Sequence, residues 1–282
     1  MIVPSISISG ARSPHMVPKT DRPDATRDIA AFYDCLASDY DVMTVVDKRF
    51  VHDRPFFRML VERYGIRTAI DAGSGTGFHA LLLAQLGVRV TAVDLSPGML
   101  ARLSDNAGAA HLHVQTVQAR LQELPAKVPG AVDAVVCMGN TLAHLLTRTA
   151  LEETLRGFAA LIRPGGVLFL QVLNYDGILS RRERVQNVRE ENGVTFVRFY
   201  DFEEPLLRFN ILRQEKKGTE IRPRLSSIEL RPVLRAELEK LLASAGFGDR
   251  KVSGDITMKK FNPATSSDLV VLAVRDSSGT PV

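Results

Sequence analysis

The sequence predicts an α/β protein built on a doubly wound, mainly parallel sheet. Three observations carry the prediction. Between residues 66 and 180, apolar runs of strand length alternate with segments of helical spacing. Several of those runs, such as AVDAVVC and GGVLFLQVL, are nearly continuous in Val, Leu, Ile and Ala, as expected of strands covered on both faces. The first run, AIDA, leads directly into GSGTG and then a helical pattern, a junction where α/β sheets place nucleotides.

Taken in order, residues 1–26 carry Pro4, Pro14, Pro18 and Pro23 with no apolar period, and are expected to form a mobile tail. Residues 27–65 form a helical cover from DIAAFYDCLASDYDVM and RFVHDRPFFRMLVERYG, the latter closing at Gly65. Pro55 suits a first-turn position there, or a break just before it. The core, 66–180, reads as strand RTAIDA, helix GFHALLLAQLG ended by Gly87, and strand VRVTAVD. There follow helix SPGMLARLSDNAG with Ser96 as cap and Pro97 in its first turn, and strand HLHVQTV. Strand AVDAVVCMG, helix RTALEETLRGFAALI, the tight turn RPGG and strand GGVLFLQVL complete it. Residues 181–231 break the rhythm: VTFVRFYDF, LLRFNILRQE and RLSSIELR read as successive antiparallel strands. Residues 232–282 supply helix VLRAELEKLLASAG and two last strands, near RKVSGD and DLVVLAVRD.

Composition removes several function classes. A chain of 282 residues can bury one large core, or one domain with a sizeable insertion. No run approaches the ~18 to 20 apolar residues of a membrane span, so no membrane partner is expected. Pro4 and the following serines argue against a secretory signal. Cys35 and Cys137 cannot make a disulfide framework, which fits a reducing cytoplasm. The net charge of +4 is spread through alternating acids and bases such as SRRERVQNVREE, the pattern of solvated faces rather than of a nucleic-acid surface. A homo-oligomer is compatible with all of this.

The glycines do not fit the dinucleotide pattern G-x-G-x-x-G, because the sixth position from Gly73 is Phe78. Two carboxylates narrow the ligand. Asp94 ends the second strand, where an acid can accept both hydroxyls of a ribose. Asp71 ends the first strand beside the glycines, a poor neighbour for pyrophosphate and a good one for an ammonium group. A ribose at one end and a cationic amine at the other describe S-adenosylmethionine.

AIDAGSGTGFHALLLAQLG, VTAVDLSPGML, AVDAVVCMGNTLAHL and LIRPGGVLFLQVLNYDGIL together resemble a class I S-adenosylmethionine-dependent methyltransferase, over roughly residues 28–180. CMGNTLAHL and NYDGIL resemble the glycine and sarcosine N-methyltransferase branch. The resemblance implies a Rossmann-like seven-stranded sheet with the antiparallel excursion as a substrate-side cap. It implies Gly73, Gly75 and Gly77 under the methionine moiety, Asp94 on the ribose, and Leu95 and Met99 beside the adenine. Met138, Asn140 and His144 would line the donor pocket on its other side. Arg49, 22 residues before Asp71, stands where the branch places an arginine for the donor carboxylate. One departure stands out: the arginine that grips the substrate carboxylate in that branch is here Leu173, which cannot make a bidentate pair.

The implied reaction is methyl transfer to a small-molecule acceptor, at an amine nitrogen, by in-line displacement. It asks for alignment, exclusion of water and a ring of oxygen acceptors, for which Tyr40, Asn140 and Tyr175 are the candidates. Plainer roles exist for each residue. Asp71 and Asn140 suit caps, His144 suits a packed helix, Tyr33 and Tyr40 suit a core, and Cys137 a buried strand. Other chemistries share the cofactor: cyclisation or aminocarboxypropyl transfer, which release methylthioadenosine, or a sensor that transfers nothing. A base-methylating enzyme would carry an Asn/Asp-Pro-Pro-aromatic run where this chain has CMGN. A nicotinamide oxidoreductase is disfavoured by the glycine spacing and by Asp71.

Overall fold

In a computed structural model of the chain, residues 25–37, 40, 41, 46–128, 130–191, 193–217 and 220–277 are described. The expected tail lies outside them, except that Ala25 and Thr26 open a helix, Ala25–Leu36.

The alternating core folds as the pattern requires. Strands β1 (Thr68–Ala72), β2 (Arg89–Asp94), β3 (Gln115–Gln118), β4 (Val132–Cys137) and β5 (Ile162–Leu173) pair in parallel, and the chain's last strands, β10 (Phe247–Ser253) and β11 (Asp268–Arg275), complete the sheet. The order is β10-β11-β5-β4-β1-β2-β3, with β11 antiparallel to β5. Alternate residues of one strand feed two different cores. Ile70, Val135, Cys137, Leu168 and Leu170 belong to one, while Ala69, Ala134, Val136, Val167 and Phe169 belong to the other. Both faces are therefore buried, the physical reason these strands are apolar without alternation. The doubly wound, mainly parallel seven-stranded reading holds.

A second sheet takes its order from sequence: β6 (Val185–Glu191), β7 (Val194–Glu203), β8 (Leu206–Lys217) and β9 (Glu220–Leu230), all antiparallel. Phe196 and Tyr200 of β7, Ile211 of β8, and Ile228 and Leu230 of β9 join the core of the parallel sheet. Among the described residues no helix is long and apolar enough to cross a membrane.

Four local expectations are corrected. The excursion has four strands rather than three: β6 arises from RVQNVREE, whose charges mark an exposed edge strand. β9 runs back through Pro223, because it is the other edge and needs no N–H on its open side. The second cover helix runs from Val46 to Tyr64 straight through Pro55. The carbonyl that loses its donor belongs to Val51, a residue 80% exposed, so that side of the helix is open to solvent. RPGG does not precede β5 but lies inside it, where the register with β4 shifts between Val132 and Ala134.

Candidate active site

Where the order of the sheet reverses, between β1 and β4, the C-terminal ends of the strands open a cavity of about 490 Å³. This is the topological position at which open α/β sheets bind ligands. Its floor is the glycine loop. Gly73 and Ser74 donate their N–H groups to Val93 O at 2.8 and 2.9 Å, tying the loop to β2. All three glycines have positive φ. A side chain at Gly73 would also collide with Thr141, and one at Gly77 would meet Leu103 Cγ at 2.5 Å. These two need glycine for space as well as for backbone angle.

Asp94 is the anchor of the floor. Its Oδ2 accepts from Gly75 N–H at 2.8 Å and its Oδ1 from Ser96 N–H at 2.9 Å, so both oxygens are oriented while the group still lines the cavity. Burial raises its pKa, and the two backbone donors work against that rise. Ser96 caps the helix Pro97–Ala109, its Oγ accepting from Met99 N–H at 3.0 Å, with Pro97 in the first turn as expected.

The Ala25–Leu36 helix closes the cavity from outside. Asp34 accepts from Ser96 Oγ at 2.5 Å and from Gly98 N–H at 3.0 Å. Asp41 accepts from Thr76 Oγ1 at 2.5 Å and from Asn106 Nδ2 at 3.1 Å. Tyr33 OH and His144 Nε2 share a hydrogen bond of 2.8 Å across to the turn that follows β4. Burial lowers the His144 pKa to about 4, so this ring is neutral at physiological pH. Burial likewise raises the pKa of Tyr33 and Tyr40, and both phenols stay protonated.

Of the residues expected at the site, Tyr40, Arg49, Gly73, Gly75, Asp94, Leu95, Met138 and His144 line the cavity. The Arg49 guanidinium lies 4.2 Å over the Phe78 ring, with Asp53 at 3.9 Å. Its tether is loose, so Arg49→Ala is expected to raise the apparent donor constant far more than the acceptor constant. Steady-state kinetics check this, and equal losses with a donor analogue lacking the carboxylate would remove the assigned role.

Five expected residues are not on the wall. Asp71 is fully buried: strand alternation points it with Ala69 toward the Phe78–Gln85 helix, beneath the loop rather than into the cavity. Among the described residues no hydrogen bond of ordinary geometry reaches either oxygen; burial raises its pKa to about 7, against the opposing pull of the Ala80 N–H. Gly77 and Met99 serve packing and capping behind the loop. Asn140 and Tyr175 act as a strut. Asn140 takes a left-handed conformation, donates Nδ2–H to Tyr175 OH at 2.8 Å, and accepts at Oδ1 from Leu173 N–H at 3.1 Å. Tyr175 is wholly buried. Of the three residues expected to form the polar ring, only Tyr40 is on the cavity wall.

The sequence reading missed the segment Ala119–Glu123, which follows β3 and walls one side, as well as Phe78 and Thr141. The available signal was topological: a segment leaving the C-terminal end of a strand beside the crevice belongs to it.

The comparisons with known proteins agree with this geometry. Residues 69–166 match the family model described as a methyltransferase domain. The chain is 36% identical over 134 residues to a glycine/sarcosine/dimethylglycine N-methyltransferase of Actinopolyspora halophila, covering 47% of this chain and 24% of that protein. It is 33% identical over 149 residues to a glycine/sarcosine N-methyltransferase of Halorhodospira halochloris, covering 53% and 56%. The chain thus spans about half or less of the length of these curated relatives. Among solved structures, an S-adenosylmethionine-dependent methyltransferase from Clostridium acetobutylicum ATCC 824 superposes with a TM-score of 0.74 at 17% identity, covering 86% of this chain and 99% of that one. A sugar N-methyltransferase from Streptoalloteichus sp. ATCC 53650 gives 0.64 at 20%, covering 98% and 99%. At such identities these two speak for the fold alone. Together the matches bear out the resemblance to the methyltransferases and to the N-methylating branch.

Proposed function

We propose that the chain is an S-adenosylmethionine-dependent methyltransferase that methylates a small molecule at an amine nitrogen. The observation that carries this is the pairing of an oriented carboxylate, Asp94, with a second, fully buried one, Asp71, on either side of a tight glycine loop. Asp94 can accept ribose hydroxyls without moving, since backbone donors already fix it. Asp71 puts negative charge beneath the loop, which favours a ligand with a cationic amine above it and disfavours a pyrophosphate. Arg49 would take the donor carboxylate, Leu95 with the segment Ala119–Glu123 the adenine, and Met138, Thr141 and His144 the far wall.

When bound, the sulfonium supplies an electrophilic methyl group. What this chain does is align and exclude. The cover helix, stapled by Tyr33 and Asp34, and Asp41 beyond it, bonded to Thr76, shield the cavity from water. Tyr40, on the cavity wall with its ring edge 3.8 Å from where a side chain on Gly75 would begin, would offer an oxygen at the reacting end. The Asn140–Tyr175 strut fixes the backbone at the end of β5, beside the acceptor's approach.

The names of the curated relatives specify glycine and sarcosine, yet the resemblance puts Leu173 where that branch carries an arginine for the substrate carboxylate. A buried carboxylate without a partner costs several kcal/mol, so a larger acceptor than glycine is favoured. Incubation with labelled donor and a panel of amines and amino acids, followed by mass spectrometry, tests both points. The expected products are S-adenosylhomocysteine and an acceptor heavier by one methyl group; methylthioadenosine instead would overturn the reaction. Glycine is expected to turn over poorly in the wild type and better in Leu173→Arg, and efficient wild-type turnover of glycine would defeat the specificity argument.

A further inference from the structure

We propose that the outer face of the four-stranded sheet is a dimer interface, and that its partner is a second copy of this chain related by a two-fold axis parallel to the strands. The second sheet alone carries this, independently of the methyltransferase reading.

The first support is the face itself. Along β7, Phe196 and Tyr200 point into the core, so alternation turns Val197, Phe199 and Asp201 to the other side. Register continues that side across the sheet. Val188 of β6, Val197 of β7, Leu212 of β8 and Leu225 of β9 form one row. The row beside it holds Val185, Phe199, Asn210 and Ser227. Val185, Val188 and Leu225 are 55%, 62% and 58% exposed, three of the five large apolar side chains so exposed among the described residues. Val197, Phe199 and Leu212 pack into neither core. Apolar surface gathered on one face marks an interaction site. The polar residues at its centre do not oppose burial, because their hydrogen bonds are made within the sheet. Ser227 Oγ donates to Asn210 Oδ1 at 2.6 Å, and Asn210 Nδ2 donates to Asp201 Oδ2 at 2.9 Å.

The second support is the charge at the rim, and it selects the partner. The next row reads Arg184, Asp201, Arg208 and Glu229 across the strands, alternating in sign. Arg184 is held on this side by Asp201 at 2.6 Å and by the Phe199 ring, 5.2 Å beneath it. A two-fold axis lying between two facing sheets, parallel to their strands, reverses the strand order and keeps the rows. Val188 of one copy then meets Leu225 of the other, and Val197 meets Leu212. The charged row meets its own reverse, Asp201 opposite Arg208 and Arg184 opposite Glu229. Apolar surface alone fits many partners; a sign order that complements its own reverse singles out a second copy. Twist rotates aligned sheets by about 30°, a displacement that long arginine side chains span. Four strands and the ten residues of β7 give a face of roughly 19 Å by 34 Å, or roughly 650 Å² before side-chain relief, close to the ~800 Å² per partner of a standard interface.

The test uses the whole chain. Sedimentation equilibrium is expected to give twice the 31.0 kDa of one copy. Val188→Lys and Leu225→Glu each set a charge against an apolar side chain, and each is expected to weaken the dimer roughly tenfold or more. Both positions are exposed in the single chain, so circular dichroism should show an unchanged fold. Within one chain they lie on opposite edge strands and cannot meet. In a mixture of the two variants, the new lysine of one copy faces the new glutamate of the other, while the remaining contact stays Val188 on Leu225. The mixture is therefore expected to dimerise more tightly than either variant alone. A monomeric wild type overturns the proposal, whatever covers the face instead. So does a wild-type dimer that neither substitution weakens, or a mixture no tighter than its components. Should either variant fail to fold, the uncharged pair Val188→Ser and Leu225→Ser must still weaken the dimer, and unchanged dissociation on dilution would overturn the proposal.

Discussion

Asp94→Ala is expected to weaken S-adenosylmethionine binding by about 1 to 3 kcal/mol, the cost of leaving hydrogen-bonding hydroxyls without their acceptor. The structure adds a second consequence. Both oxygens of Asp94 accept backbone N–H groups, from Gly75 and from Ser96, so the carboxylate holds the floor of the cavity as well as the ligand. Alanine removes both bonds, and the melting temperature should fall even without ligand. Asp94→Asn separates the two roles. The amide keeps one oxygen acceptor but sets an NH2 group against a backbone donor, so the loop is disturbed on one side only. Calorimetry with S-adenosylmethionine and thermal melts of the free protein give both readouts. Donor binding by Asp94→Ala at wild-type strength would refute the assignment, and tight binding of NADH in place of S-adenosylmethionine would refute the cofactor.

Particular residues show how far sequence reaches here. The glycine loop, the place of Asp94 at a strand end and the parallel pairing of the strands were readable because each depends on local chemistry: positive φ at glycine, a carboxylate at a strand end, apolar runs between helices. The mutual contact of Asn140 and Tyr175 was not, because both side chains have the chemistry the site asks for and here they hydrogen-bond each other. Nothing in CMGN or NYDG tells which way the amide points. Asp71 lies between these cases. Its effect on the ligand was inferred from charge, which acts through the loop, whereas contact depends on strand alternation, which turns it beneath the loop. Pro55 misled for another reason: a proline inside a helix loses one hydrogen bond and crowds the carbonyl four residues back, a cost that is smallest where, as at Val51, the residue is exposed.

Asp71→Asn is expected to stabilise the ligand-free protein at pH 8 relative to its effect at pH 5.5, and to weaken donor binding at pH 8. Asp71 is fully buried, and burial raises its pKa from the ordinary 3.8 to about 7. For an acid with a raised pKa the folded state holds the proton over an interval in which the unfolded chain has lost it. Its contribution to stability is therefore complete below about pH 4 and is lost as pH rises through about 7. The scale is about 1.4 kcal/mol per pKa unit, so a few kcal/mol separate the two ends. Asparagine has nearly the same shape and no charge to bury, and it removes that slope. The buried histidines act in the opposite sense. His79 and His144 have pKa values lowered by burial to about 3 and about 4, so their contribution is lost as pH falls below the ordinary histidine range. Comparing variant with wild type at two pH values cancels the histidines and isolates Asp71. The same charge that destabilises the free protein should favour the donor's ammonium, so wild-type affinity for S-adenosylmethionine should rise from pH 6 to pH 8 and that of Asp71→Asn should rise less. Chemical denaturation and calorimetry at both pH values measure the two quantities. If Asp71→Asn changes stability equally at both, its carboxyl is not titrating in the fold, and the cationic ligand loses its counter-charge in this site.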